Sequence, residues 1–168
     1  MQPKIAIVGA ARSTKLLAPY GDSGWTIWSL SPRNERELPR HDAWFELHSL
    51  AHRARYGIYY QWLKTQPLVY MQDADPEFPG SVAYPKDAML ARFGSQFFTS
   101  TPAWMLALAI TRQPAAIGVW GVEGVDDLGS QRPGLLHFIW VARALGIEVV
   151  LPEGCKLTKP EPLYGYET

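Results

Sequence analysis

Residues 4–13 read Lys4-Ile5-Ala6-Ile7-Val8-Gly9-Ala10-Ala11-Arg12-Ser13, and this stretch decides the fold. A short run of β-branched and apolar residues, followed by small residues and then by a helix-capping residue, is typical of the first strand of an open α/β sheet. We therefore predict a buried strand followed by a small-residue loop. Two interpretations of the loop stay open: a plain tight turn, or a ligand loop whose backbone approaches a phosphate.

The composition is that of a folded domain with balanced charge. The chain has 168 residues, sixteen of them basic and sixteen acidic, and a single cysteine, Cys155. The length predicts one domain over 1–168, with 154–168 as a tail packed on its surface. The charge balance argues against general nucleic-acid binding, and the longest apolar run is about half of the ~20 residues that a membrane helix needs. Without a leader pattern or a cysteine pair, we expect a cytoplasmic protein.

Aromatic residues are frequent, with seven Trp, eight Tyr and six Phe. They either fill the core or lie partly in a ligand cleft or an oligomer interface, since aromatic side chains dominate both kinds of surface. We expect a homo-oligomer, and we expect neither a metal nor a cofactor.

The order of the remaining segments predicts an α/β fold. Apolar or alternating runs predict five further strands, at 25–30, 42–48, 67–72, 116–123 and 147–152. Helical patterns cover 14–18, 50–63, 86–93, 102–111 and 135–145, and polar loops cover 73–85 and 124–134. The prediction is a single Rossmann-like domain, with a mostly parallel sheet of about six strands and helices on both faces.

Polar residues follow several predicted strands, at the edge where open α/β sheets bind ligands. Ser31, Arg33 and Asn34 follow the second strand, and Gly121 and Glu123 end the fifth. These residues, with Gly9, Ala10, Ala11, Arg12 and Ser13 of the first loop, are candidate ligand contacts.

Three hydroxyl side chains precede the apolar helix at 102–111, namely Thr99, Ser100 and Thr101. They either cap the helix or donate to a phosphate or sugar. Arg132, in the polar loop 124–134, either reaches a ligand anion or is simply solvated.

Glu46 and His48 are the candidate catalytic pair. They share a face of the third predicted strand because side chains alternate with a period of two. His48 would act as a general base oriented by Glu46, because a histidine titrates near neutral pH. The alternative is a histidine held at the sheet edge by a hydrogen bond.

Four segments carry a resemblance to a known group of proteins. These are Ile7-Val8-Gly9-Ala10-Ala11-Arg12-Ser13, residues 25–34, Thr99-Ser100-Thr101, and residues 118–123. With them the chain resembles the Rossmann-like bacterial sialyltransferases that use CMP-sialic acid and the related pterin-pyrophosphokinase-like proteins. It is also similar to small Rossmann-like phage proteins of unknown function. The resemblance implies a nucleotide site, with the first loop near the phosphates, the end of the second strand near the base or ribose, and 99–101 contributing hydroxyls.

Several functions fit these features. The leading hypothesis is binding of a nucleotide or nucleotide-sugar, with a glycosyl- or nucleotidyl-type transfer as the reaction. The alternatives are a non-catalytic binder of a nucleotide-derived small molecule, a nucleotide N-glycosidase that uses Glu46 or Glu123, and a phage structural or interaction protein.

Overall fold

The core of the fold is a parallel sheet built on the first strand. The computed structural model describes residues 2–49, 57–123, 131–158 and 164–166. Within them, the strands are β1 Lys4–Val8, β2 Trp25–Leu30, β3 Ala43–Glu46, β4 Val69–Met71, β5 Ser81–Ala83, β6 Ala116–Trp120 and β7 Glu148–Val150. Their order across the sheet is β5-β4-β3-β2-β1-β6-β7, and every neighbouring pair is parallel. The α/β class and the parallel sheet are confirmed.

Helices lie on both faces of this sheet, as predicted. In the described ranges they are α1 Gly57–Leu63, α2 Lys86–Phe93, α3 Thr101–Thr111 and α4 Gln131–Ala144, with short 3-10 turns at Lys15–Leu17, Pro32–Asn34 and Lys156–Thr158. The mostly apolar α3 shares a buried cluster with α4 and with the faces of β1 and β6 that carry Ile5 and Val119. On the opposite face, α1 packs over Trp44 and Met71.

The sheet has one strand more than the sequence predicted. β5 lies inside 73–85, which was predicted to be a loop, so that prediction is wrong there. Its three residues are partly or fully exposed, and their alternation is too short to distinguish from a turn-rich loop. Gly80 sits just before β5, where an added Cβ would be 2.1 Å from the carbonyl oxygen of Gln66. A backbone approach of this kind is not visible in a single sequence.

The last helix begins earlier than predicted. Residues 131–134, assigned to a polar loop, form the first turn of α4. Pro133 is compatible with a first turn because the backbone N–H groups there have no partner within the helix. Gly134 packs closely, since an added Cβ would lie 2.2 Å from the carbonyl oxygen of Phe97.

Other predicted elements agree with the structure to within a few residues. The helix predicted at 14–18 is a 3-10 turn, and the helix predicted at 50–63 is described only at its end, as α1, because 50–56 lie outside the described residues. Gly94 and Gly146 follow α2 and α4 with φ of +73° and +77°, which is the left-handed conformation that glycine accepts at a helix end. In the predicted tail, Leu157 is buried, whereas Tyr164 and Tyr166 are exposed.

Candidate functional site

The direction in which successive strands are added to the sheet reverses at β1. The chain passes from β1 to β2 on one side, and returns later to β6 on the other side. In open α/β sheets, the crevice beyond the carboxyl ends of the strands at such a switch point is where ligands bind. The loop 9–13, the end of β2 and the residues after β6 meet at this position. The structure thus brings together most of the predicted ligand-binding residues.

Two glycines lock the loop after β1 against the end of β6. The amide of Gly9 donates to the carbonyl oxygen of Trp120 at 2.8 Å, and the amide of Ala11 donates to that of Gly121 at 2.9 Å. An added Cβ on Gly9 would lie 2.3 Å from the carbonyl oxygen of Gly121, whose own φ is +62°. These glycines therefore allow two loops to pack together. Because two of the loop amides are already bonded, binding of an anion here depends largely on side chains.

Lys15 is the strongest charged feature of this crevice, and the sequence analysis missed it. Its side chain is almost completely buried, and its Nζ donates to Asn34 Oδ1 at 3.1 Å and pairs with the Glu37 carboxylate. Arg12 reaches the same carboxylate at 3.5 Å from a mostly exposed position. The hydrogen bond from Lys15 lowers the pKa of Glu37 below its ordinary value.

Asn34 is a buried residue that hydrogen-bonds to both the first loop and Lys15. Its Nδ2 donates to the carbonyl oxygens of Gly9 at 2.9 Å and Leu30 at 3.0 Å, while its Oδ1 accepts from Lys15. It therefore links the end of β2 to the first loop and positions the Lys15 ammonium group. Because the protein uses both ends of this amide, we propose no ligand contact for Asn34.

The turn after β2 brings an arginine to the crevice. Ser31 has φ of +83°, an uncommon backbone conformation for a residue other than glycine, and its Oγ accepts from the Arg33 amide at 3.4 Å. Arg33 is exposed, and no carboxylate in the described part of the chain lies within ion-pair distance of it.

A cavity of about 510 Å³ lies between the loop after β1 and the turn after β2. It is lined by Ala10, Ala11, Arg12, Lys15, Arg33 and Glu37. Three cationic side chains face one carboxylate, so the local charge favours an anion. We call this space the cationic cavity.

Glu123, on the β6 side of the crevice, is held in place by two partners. The Ser13 hydroxyl donates to its Oε1, and Lys156 Nζ lies 3.0 Å from its Oε2. These two hydrogen bonds lower the pKa of Glu123. Ser13, Gly121 and Glu123 are therefore adjacent, as the sequence indicated, and Lys156 is an additional member that it did not indicate.

Glu46 and His48 form a hydrogen-bonded pair beyond the end of β3. His48 Nδ1 lies 2.6 Å from Glu46 Oε1, and the imidazole is about half exposed, at 49%. Tyr59 donates to the second carboxylate oxygen at 2.8 Å and in turn accepts from Trp44 Nε1 at 2.8 Å. Burial raises the pKa of Tyr59, and the neighbouring carboxylate raises it further, so the hydroxyl stays a donor.

The carboxylate of Glu46 remains ionised in this buried position. Burial acts to raise its pKa, but the hydrogen bonds from His48 and Tyr59 outweigh that effect, and the pKa lies below its ordinary value. The ionised Glu46 holds the imidazole of His48 through Nδ1, so Nε2 is the ring nitrogen on the side away from this carboxylate oxygen. The sequence analysis had not identified Tyr59 or Trp44 as supports of this carboxylate.

A second cavity, of about 550 Å³, lies at the carboxyl ends of β3, β4 and β5. Its lining combines aromatic and charged residues, namely Leu47, Gln72, Asp73, Ala83, Tyr84, Pro85, Lys86, Asp87, Ala88 and Trp104. Gln72 Nε2 donates to the carbonyl oxygen of Leu47, the residue before His48, at 2.9 Å. The Glu46–His48 pair is therefore adjacent to this cavity, which we call the aromatic cavity.

The hydroxyl residues before α3 lie at the same edge of the sheet but contact other elements. Ser100 caps α3, accepting from the Ala103 amide at 3.4 Å, and Thr99 Oγ1 donates to the carbonyl oxygen of Gln131 at 3.4 Å. Thr101 is the first residue of the helix. Arg132, in the first turn of α4, donates to the carbonyl oxygen of Lys156 at 3.0 Å. Ser100 therefore bonds within α3, Thr99 bonds to the start of α4, and Arg132 bonds to the 3-10 turn that begins at Lys156.

The described segments contain neither a metal-site cluster nor a membrane-spanning helix. No three His, Cys, Asp or Glu side chains in them gather as a metal site would require. None of the helices found there is long and apolar enough to span a membrane.

Comparison with known proteins gives a match in structure only. No family model and no curated protein matches the sequence. Among solved structures, the chain is similar to the sialyltransferase CstII from Campylobacter jejuni in complex with cytidine-5′-monophosphate, with 13% identity, a TM-score of 0.59 and coverage of 99% of this chain and 84% of that one. The same sialyltransferase in complex with CMP-3FNeuAc gives 14% identity and a TM-score of 0.60, over 98% of this chain and 84% of that one. The resemblance to bacterial sialyltransferases is confirmed as a resemblance of fold.

Proposed function

We propose that this protein binds a nucleotide or a nucleotide-sugar at the carboxyl edge of its sheet, with the phosphate next to the loop 9–13. The observation that carries the proposal is the switch point at β1, where this loop and the turn after β2 enclose a cavity with three cations. The likeness in fold to a sialyltransferase solved with cytidine-5′-monophosphate supports a nucleotide of this kind.

Arg12 is the side chain that we expect to bind the phosphate. It lies in the loop after β1, its guanidinium is 87% exposed, and it holds Glu37 only at 3.5 Å. Such a group can turn to a phosphate at little cost and offers it two parallel donors.

Thermal unfolding with a panel of nucleotides and nucleotide-sugars tests this proposal. A ligand at one hundred times its dissociation constant should stabilise the protein by about 2.7 kcal/mol. We expect Arg12→Ala to lose most of that gain, whereas Arg92→Ala on α2, away from the cavity, should keep it. If every compound on the panel leaves the unfolding temperature unchanged, the proposal is wrong and an interaction protein becomes the better hypothesis.

A second candidate function, group transfer from a bound nucleotide-sugar, is favoured by the Glu46–His48 pair. In this reaction His48 Nε2 takes the proton of an acceptor hydroxyl, whose oxygen bonds to the anomeric carbon while the bond from that carbon to the phosphate oxygen breaks. The nucleotide leaves with the electron pair of the broken bond, and Arg12 offsets the charge of its phosphate.

Product analysis distinguishes this reaction from the other hypotheses. A nucleotide together with a glycosylated acceptor indicates transfer, a free base indicates an N-glycosidase, and intact ligand after long incubation indicates a non-catalytic binder.

The expectation of a homo-oligomer also stays a prediction. Trp140 and Leu145, on or just after α4, are 61% and 56% exposed and are the places to test it by substitution and light scattering.

A further inference from the structure

The cationic cavity carries more positive charge than the single phosphate diester of a nucleotide-sugar such as CMP-sialic acid would balance. Arg12, Lys15 and Arg33 line it, and Glu37 is the single carboxylate among its lining residues. The proposed function assigns Arg12 to the phosphate beside the loop 9–13, which leaves Lys15 and Arg33 for a second group. When Glu37 turns outward, these two positive charges balance a phosphate monoester, which is close to a dianion at neutral pH.

The three cations of the cavity differ in their carboxylate partners. Lys15 and Arg12 share Glu37, and Arg33 is the cation best placed to bind a further anion. Lys15 is fixed by Asn34 and Glu37, and Arg12 shares the same carboxylate. Arg33 has no carboxylate partner within the described ranges, although its backbone is fixed by the turn in which Ser31 accepts from its amide. The turn thus presents a guanidinium at the cavity without neutralising it.

The position of Arg33 indicates which part of a nucleotide it meets. It lies in the turn directly after β2, beside the loop that follows β1. In dinucleotide-binding sheets, a side chain after the second strand contacts the ribose, and an arginine nearby accommodates a phosphate on the ribose hydroxyl. Resting on the function proposed above, we infer that the ligand is a nucleotide with a phosphate ester on its ribose, bound by Arg33 and Lys15.

Glu37 competes with the ribose phosphate for the ammonium group of Lys15. Its carboxylate now accepts the hydrogen bond of Lys15, and at 36% side-chain exposure it lies at the rim of the cavity, where it can turn outward. A ribose phosphate would displace it and take over the ammonium group of Lys15 and the guanidinium of Arg33. Removing the charge of Glu37 should therefore tighten binding of a ribose-phosphorylated ligand.

The test is isothermal titration calorimetry with nucleotide pairs that differ by one ribose phosphate. We would compare CMP with cytidine 3′,5′-bisphosphate, and AMP with adenosine 2′,5′- and 3′,5′-bisphosphates, with inorganic phosphate as a separate titrant. The wild-type protein should bind one bisphosphate roughly tenfold tighter or more than its monophosphate, as expected for an added charged hydrogen bond. Arg33→Ala should remove this gain, and Glu37→Gln should enlarge it.

Arg36→Ala is the matched control. Arg36 belongs to the same turn region, pairs with Glu35 at 3.1 Å and does not line the cavity, so its removal should leave the gain unchanged. Equal affinities within every pair, or a gain that survives Arg33→Ala, would overturn the ribose-phosphate inference while leaving nucleotide binding in place. Binding of inorganic phosphate alone, or of none of the titrants, would overturn both the inference and the proposed function.

Discussion

At the scale of single residues, the Glu46–His48 pair is the part of the site with defined chemistry. The imidazole is half exposed, and its Nδ1 is held at 2.6 Å by a carboxylate that is itself buried. Tyr59 and Trp44 fix the second carboxylate oxygen through two further hydrogen bonds. In the proposed transfer, a base held so firmly would act without first reorganising its surroundings.

Replacing His48 by alanine should separate catalysis from binding. If transfer occurs, kcat should fall by roughly 10²–10⁴, which is the usual contribution of a general base, while nucleotide affinity stays close to that of the wild type. His41→Ala is the control, because His41 precedes β3 at the opposite end of the strand and pairs with Gln66 at 2.8 Å. Equal turnover in His48→Ala and wild type would remove His48 from the mechanism.

Glu46 should also contribute to stability in a pH-dependent way. Its pKa in the folded protein lies below the ordinary value of 4.5, so its contribution is present above that value and is lost as the pH falls through the lower folded pKa. Glu46→Gln should cost about 1–3 kcal/mol at neutral pH, since a charged hydrogen-bonded group is lost. Denaturant titrations from pH 7 to 3 should show this difference shrinking on acidification. A stability difference between the two proteins that stays constant with pH would contradict the lowered pKa of Glu46.

At the scale of elements, the junction between the loop after β1 and the end of β6 decides the shape of the crevice. Gly121 has φ of +62°, and an added Cβ would lie 2.5 Å from the carbonyl oxygen of Gly9 and 2.7 Å from the Cβ of Lys15. A side chain here strains the backbone and pushes apart the two loops that frame the site.

Gly121→Ala should therefore destabilise the protein by about 2–4 kcal/mol, from the left-handed backbone and the overpacking together. Gly21→Ala is the control, because Gly21 has no positive φ and nothing lies within 4 Å of its added Cβ. Chemical denaturation of both variants measures the effect. Similar stabilities of the two alanine variants would show that the junction tolerates a side chain.

The elements that the sequence predicted well are those with strong local patterns. β1 and β2 are apolar runs, and α3 combines Ser100 as a cap with an interior that is mostly buried. β5 was missed because its few residues lie at the edge of the sheet, where an exposed strand has little hydrophobic pattern to read.

The site was only partly predictable for a related reason. Strand ends show where polar residues gather, so the sequence predicted that the loop 9–13, the turn after β2 and the Glu46–His48 pair lie at one edge of the sheet. Lys15 was not predicted, because a lysine in a short helix usually points into water. Its burial arises from Asn34, nineteen residues away along the chain. Tertiary partners of this kind leave no mark in local spacing.

At the scale of the whole molecule, one edge of the sheet carries every feature of the proposed function. β3 is separated from β1 by β2 alone, so the Glu46–His48 pair and the loop 9–13 are two strand spacings, or about 10 Å, apart. A nucleotide with its phosphate at Arg12 would extend along this edge past the turn that carries Arg33, in the direction of His48 and the aromatic cavity. Parallel strands make this possible because their carboxyl ends all open to the same side.

The measurement that tests this account most directly is a crystal structure of the protein with the nucleotide that stabilises it most. We predict its phosphate beside the loop 9–13, within hydrogen-bond distance of Arg12, with the ribose toward the turn that carries Arg33. A nucleotide bound instead between Tyr84 and Trp104 in the aromatic cavity, with the loop after β1 untouched, would contradict the central claim.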